Sequence, residues 1–179
     1  MKNFSKTALM SVVLLTIACS GANELSNNNP PETNALYPSW YGAYEFSSDS
    51  TDFYARATAV ASDADMAKTR AEKEARALLE SYIAKELEDV RSELERDGST
   101  IVKEPNFLLM LRNAHSKIEE QARVSRTEAV MKDGVYRGFA RVEIVKKDVN
   151  DLIESGLNSN SQYKREFVGS TGYKELFDN

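Results

Sequence analysis

The sequence predicts an α+β fold: a small antiparallel sheet in β-α-α-β-β-α order, with a long helix and a second helix packed on one face. Three observations carry this prediction. Residues Phe53 to Val60 alternate at the period of a strand, with Phe53, Ala55, Ala57 and Ala59 on one side and Tyr54, Arg56, Thr58 and Val60 on the other. Residues 63 to 97 repeat apolar side chains at helical spacing. Residues 124 to 145 form two strand-like runs joined by Asp133-Gly134, a dipeptide suited to a two-residue hairpin turn.

At the amino terminus, Lys2 and Lys6 precede an apolar run from Ala8 to Ala18, with no acid before it. A basic stretch followed by about 11 apolar residues is the architecture of an export signal, and it is too short to span a bilayer, which needs about 20. Residues 1 to 18 therefore read as a signal peptide. The run ends at Cys19, the only cysteine in the chain. Leu15-Thr16-Ile17-Ala18-Cys19 resembles the lipobox of bacterial lipoproteins, with Thr16 where leucine is usual. That resemblance implies cleavage before Cys19, diacylglycerol on its thiol and a further acyl chain, such as palmitate, on its amino group. Several buried acyl chains, at about 0.8 kcal/mol per CH₂, make a stable anchor. The same resemblance implies the outer membrane of a Gram-negative-type bacterium, because residue 20 is Ser and not the Asp that in such lipoproteins favours inner-membrane retention. The alternative is an ordinary signal peptide that leaves Cys19 as a free thiol, which itself needs explaining in an exported chain.

Residues 20 to 36 are rich in Asn, with two Ser and two Pro, and predict a flexible tether spanning roughly 20 to 25 Å. Removing Lys2 and Lys6 with the signal takes the net charge from −5 to −7. An acidic body argues against nucleic-acid binding and against electrostatic attraction to anionic lipid. The membrane partner is then expected to be held through the lipid anchor. One Cys and one His cannot build a structural zinc site or an internal disulfide, so no metal and no cofactor is expected.

The folded part is expected over residues 37 to 155, opening at Tyr37-Pro38-Ser39-Trp40-Tyr41. Ser62 and Asp63 supply capping chemistry for the first helix. Its stripe begins with Ala67, Ala71 and Ala75, small enough for a neighbouring backbone to approach. It continues with Leu78, Tyr82, Leu87, Val90 and Leu94, flanked by Leu79 and Ile83, which suit a bulkier partner. A second helix over 106 to 122, with Phe107, Leu111, Ala114 and Ile118 on one face, is the expected partner.

Counting outward from the hairpin turn pairs Met131 with Tyr136, Ala129 with Gly138, Thr127 with Ala140 and Ser125 with Val142 on a face fit to lie under a helix. The opposite pairs, Val130 with Arg137, Glu128 with Phe139, Arg126 with Arg141 and Val124 with Glu143, read as solvated. Asp148 starts a short helix to about Ser155, and residues 156 to 179 read as a polar C-terminal tail.

No catalytic residue is expected. His115 lies at the edge of an apolar helical face with no nucleophile motif nearby, and there is no Gly-x-Ser-x-Gly elbow or phosphate-binding glycine loop. The acids of the first helix interleave with Lys and Arg, as on a solvated face. Two surfaces remain as binding candidates. Trp40 and Tyr41 form the first, although such a segment also packs readily across a sheet. Val90 and Leu94, at the far end of the first helix, form the second as an interface to another subunit.

Taken together, the lipobox, Pro38-Ser39-Trp40-Tyr41, the strand leading into a helix with Ala67, Ala71, Ala75 and Leu78, the second helix, and the hairpin strand from Val135 to Val142 resemble the Lpp-twenty family of bacterial outer-membrane lipoproteins. The likeness covers residues 38 to 155, with Ala55, Ala57 and Ala59 where many relatives carry glycine. It implies a lipid on Cys19, no enzymatic activity, and helices on one face of an antiparallel sheet. Relatives include FlgP-type flagella-associated lipoproteins that assemble into rings. A structural or assembly role in the cell envelope, with a protein partner or a homo-oligomer, is the resulting expectation. A monomeric module binding a peptide or glycan through Trp40 and Tyr41 is the alternative.

Overall fold

The computed structural model describes residues 37–178, so the expected export signal, Cys19 and the expected tether lie outside the described residues. The alternating run becomes β2 (Asp52–Ala61), preceded by a short β1 (Phe46–Ser48), and the hairpin becomes β3 (Arg123–Lys132) and β4 (Val135–Val145). These form one antiparallel sheet in the order β1-β2-β4-β3. Between β2 and β3 come α1 (Ala64–Arg96), a 3-10 turn (Ile101–Lys103), α2 (Pro105–His115) and α3 (Ile118–Gln121). After β4 come α4 (Lys146–Leu157), α5 (Ser161–Val168) and α6 (Thr171–Asp178). The architecture is α+β, as expected.

Side-chain size sets how α1 lies on the sheet. The Asp63 carboxylate accepts the Met66 amide at 2.9 Å and caps the helix. The 33 residues of α1 then extend about 50 Å. Its buried stripe runs Ala67, Ala71, Ala75, Leu79, Ile83, Leu87 and Val90. Beneath the alanines, β2 and β4 pair Ala55 with Val142, Ala57 with Ala140 and Ala59 with Gly138. Contact there is so close that a Cβ on Gly138 would stand 2.2 Å from the carbonyl carbon of Ala67. Large side chains fill the other half, where burial of each Leu, Ile or Phe contributes about 1.5–3 kcal/mol.

At the hairpin tip Asp133 and Gly134 take φ values of 53° and 81°, both left-handed, as a type I′ turn requires. The expected pairing holds from Met131 with Tyr136 to Arg126 with Arg141. A register shift between Val124 and Arg126 then puts Val124 opposite Val142 instead of Glu143. The irregularity turns Val124 toward the core, where it is half-buried.

Two other expectations need correction. The second helix is not continuous over 106–122: it stops at His115, turns through Ser116 and Lys117, and resumes as α3. Its main partner is α4 rather than the second half of α1. Residues 156–178 are not a polar tail but part of the domain. Asn160 caps α5 by accepting the amides of Gln162 and Tyr163 at 3.0 and 3.2 Å. Tyr163, Phe167 and Tyr173 are buried. A continuous aromatic path runs Phe107, Phe167, Tyr173, Phe177, Phe53, with successive ring centres 4.7–6.0 Å apart. The physical reason is that each eight-residue helix needs only one aromatic pair at i,i+4, Tyr163/Phe167 or Tyr173/Phe177, to dock.

Candidate binding surface

The outer face of the sheet, away from α1, is where sequence and structure differ most. The segment from Tyr37 to Glu45 crosses it as a strap. Pro38 is buried, and Tyr37 and Tyr41 place their rings 5.5 and 5.0 Å from that of Phe139, edge-on. Phe139, expected on a solvated face, is therefore completely buried. Apolar area on a strand that alternates inward and outward needs a cover on both sides, and the strap supplies the second one.

Trp40 is half-buried at the edge of this cluster, with its indole Nε1 donating to Glu128 Oε2 at 3.1 Å. Tyr41 is also half-buried, and its phenol is held above its ordinary pKa chiefly by burial, then by Glu45 and Tyr37. The proposed ligand-binding pair is thus engaged in holding the strap to the sheet. Val90 and Leu94 are likewise committed elsewhere. Val90 is buried beside α6, with Gly172 packed against its side chain, and Leu94 is partly buried against the core. The far end of α1 does not outrun the fold: Val90 is covered within the chain, while Leu94 keeps part of its surface exposed.

A feature that the sequence did not reveal lies beside the strap. The β2–β4 and β3–β4 registers set Arg56, Arg141 and Arg126 in one row across three strands. Like charges placed directly opposite repel. Tyr54 relieves this by stacking under two of them, with Arg56 Cζ at 4.8 Å and Arg141 Cζ at 4.1 Å from its ring centre. Glu143 pairs with Arg141 at 3.3 Å and with Arg123 at 3.0 Å, and Arg56 donates to the Tyr44 carbonyl at 3.1 Å. The Nε atoms of Arg56 and Arg141 are buried without a hydrogen-bond partner. A row of guanidinium groups on an aromatic support is suited to holding a carboxylate or another anion.

A cavity of about 560 Å³ opens at the end of the sheet remote from the hairpin tip, lined by Thr51, Lys146, Asn150, Val168, Tyr173 and Phe177 among others. Lys146 is buried, with its ammonium 5.3 Å from the centre of the Phe53 ring. Tyr173 donates its hydroxyl to Asn150 at 3.0 Å, and burial pushes its phenol far up. Glu154 is held below the usual carboxylate range by Lys164, then by Asn150. Asn150 thus links Tyr173 to Glu154, and Glu154 pairs with Lys164 at 3.0 Å, a chain of contacts that ties α4 to α5 and α6. His115 bonds through Nε2 to the Glu80 carbonyl at 3.0 Å, tying α2 to α1. Among the described residues, no cluster of three His, Cys, Asp or Glu is placed to hold a metal, and no helix is long and apolar enough to cross a membrane. Neither a family model, nor a curated protein, nor a solved structure matches the chain.

Proposed function

We propose that this protein is a non-enzymatic lipoprotein of the outer membrane, anchored through Cys19, whose domain docks another protein or a second copy in the cell envelope, flagellar structures included. The reading is supported by the signal architecture ending at Cys19 and by the open edge of the sheet. β3 is an edge strand ten residues long, and every one of its residues is exposed or half-exposed. Its charges, Arg123, Arg126, Glu128 and Lys132, and its irregularity at Ser125 discourage indiscriminate strand pairing. A partner therefore has to match both backbone and charge.

Photo-crosslinking from Thr127 in cells tests this reading. A discrete adduct, with itself or with one envelope protein, is expected, and Thr127→Pro in an otherwise folded protein should weaken the underlying association. A domain that sediments as a strict monomer and gives no adduct would overturn docking through this edge. Mass spectrometry tests the anchor: acyl chains on Cys19 are expected, and Cys19→Ser should release the protein from the membrane fraction. The alternative, a peptide- or glycan-binding module, is better served by the arginine row than by Trp40, because Trp40 is already bonded to Glu128. It predicts that an acidic peptide protects Arg56 and Arg141 from modification.

A further inference from the structure

Five of the eight large apolar side chains left exposed among the described residues gather at one end of the sheet. Met131 and Val135 flank the hairpin turn and are 63% and 44% exposed, while Val60 and Met66, on either side of the β2–α1 connection, are 47% and 46% exposed. They share one end of the molecule. Val60 pairs with Arg137 and Met131 with Tyr136. Met66 precedes Ala67, whose backbone lies over Gly138. Tyr37, also exposed, reaches the same end, because Arg137 Nη1 donates to its hydroxyl at 3.1 Å.

The strap runs toward the same end. Phe46 is opposite Ala55, the Glu45 carbonyl accepts from the Arg56 amide, Trp40 reaches Glu128, and Tyr37 reaches Arg137 and Phe139. Traced backwards, the chain thus advances along the sheet toward the hairpin tip, so Tyr37, the first described residue, lies at the end that carries the apolar patch. With residues 20 to 36 as a coil of roughly 20 to 25 Å, the lipid and this patch are held within reach of one surface.

We propose that this end of the domain is a membrane-contact surface: Met131, Val135, Val60 and Met66 seat in the interfacial region of the bilayer that holds the Cys19 lipid. The inference rests on the lipoprotein reading and adds an orientation to it. Insertion is shallow, because Lys132 and Asp133 at the turn keep their charges among the headgroups while the neighbouring apolar side chains enter. Tyr37 sits at the depth that amphipathic rings favour. Since the mature chain carries net negative charge, apolar burial and not attraction to anionic lipid drives the contact, which makes it insensitive to salt. The β1–β2 turn and the cavity beside Lys146 then face away from the membrane.

The test uses the full lipidated protein in vesicles of phosphatidylethanolamine and phosphatidylglycerol. Lipidation consumes Cys19, so Met131→Cys supplies a single thiol for an environment-sensitive fluorophore, and Ser50→Cys in the β1–β2 turn is the control. Severalfold quenching by brominated lipid at 131, little at 50, and persistence in high salt is the expected result. Val135→Asp, in a protein whose circular dichroism is unchanged, should reduce quenching at 131 severalfold. Protein that floats with the vesicles but is quenched no more at 131 than at 50 would overturn the proposal and leave the anchor intact. A blue shift that depends on protein concentration, without lipid quenching, would also overturn it and mark a protein interface instead. Failure to float at all would sink the lipoprotein reading, and this inference with it.

Discussion

On its inner face the sheet meets α1 through Ala55, Ala57, Ala140 and Gly138, and backbone lies almost on backbone. On the outer face the same two strands present Tyr54, Arg56, Phe139 and Arg141, covered in part by the strap from Tyr37 to Glu45. The inner contact depends on the absence of side-chain volume. The outer contact depends on flat groups laid over one another: tyrosine rings on Phe139, and guanidinium groups on Tyr54. Because successive residues in a strand point to opposite faces, one stretch of sequence encodes both solutions. The difference teaches that the outer face is a second, thinner core and not a plain solvated surface.

The largest expected effect falls on that second core. Phe139→Ala should cost about 3–5 kcal/mol, the usual range for deleting a buried phenylalanine. Denaturant unfolding of the variant measures it. A loss below about 1 kcal/mol would mean that the strap collapses freely onto the gap and that the outer face is not a core in the sense argued here. Gly138→Ala probes the inner face and should cost about 1–3 kcal/mol or more, since the added methyl meets the Ala67 backbone, which cannot rotate away. Thermal melts of this variant beside Thr58→Ala, an exposed outer-face change expected to stay within about 0.5 kcal/mol, put a scale on the asymmetry.

These contrasts also explain what could be read in advance. Phe53 to Val60, the alanine stripe and Asp133-Gly134 each encode their geometry within a short window, so β2, α1 and the hairpin were legible, as was the close approach at the alanine half. The arginine row was not. Arg126 and Arg141 could be paired by counting from the turn, but Arg56 joins them only through the β2–β4 register, a contact between segments some eighty residues apart. Burial of Phe139 depends on the strap in the same non-local way. The C-terminal helices were missed for a different reason. Two turns with one i,i+4 aromatic pair give almost no periodic signal, and Tyr163 and Phe167 become core residues only because Phe107 lies against both. Val90 and Leu94 looked free for the same reason: what covers the end of α1 is the segment that had no visible pattern.

A change of pH separates the faces without mutation. Burial, then Glu45 and Tyr37, raise the Tyr41 phenol, while Arg56 and Arg137 pull weakly the other way. A folded pKa above the unfolded value of about 10 means that the fold favours the protonated phenol. Its contribution is therefore complete below about pH 10 and fades as pH rises through the folded value. Above that pH, Trp40 emission should shift to the red before far-UV circular dichroism changes, as the strap lifts while α1 stays on the sheet. Loss of both signals together would make the two faces one cooperative unit.

The smallest effect concerns the arginine row itself. Arg126 is exposed and faces Arg141 across the strands, whereas Arg56 and Arg141 rest on Tyr54. Like charges directly opposite cost about 0.2–1 kcal/mol, so Arg126→Thr, which keeps a good strand former, should leave stability within about 0.5 kcal/mol and shift it upward at low salt. The sharper reading is the salt dependence. Between about 10 mM and 1 M salt the screening length falls from about 30 to 3 Å, and the wild type should gain more stability over that range than the variant does. Equal gains would mean that Glu143 and the stacking on Tyr54 already neutralise the row. Its guanidinium groups would then be held as structure, like the rings on Phe139, rather than kept ready for an anion.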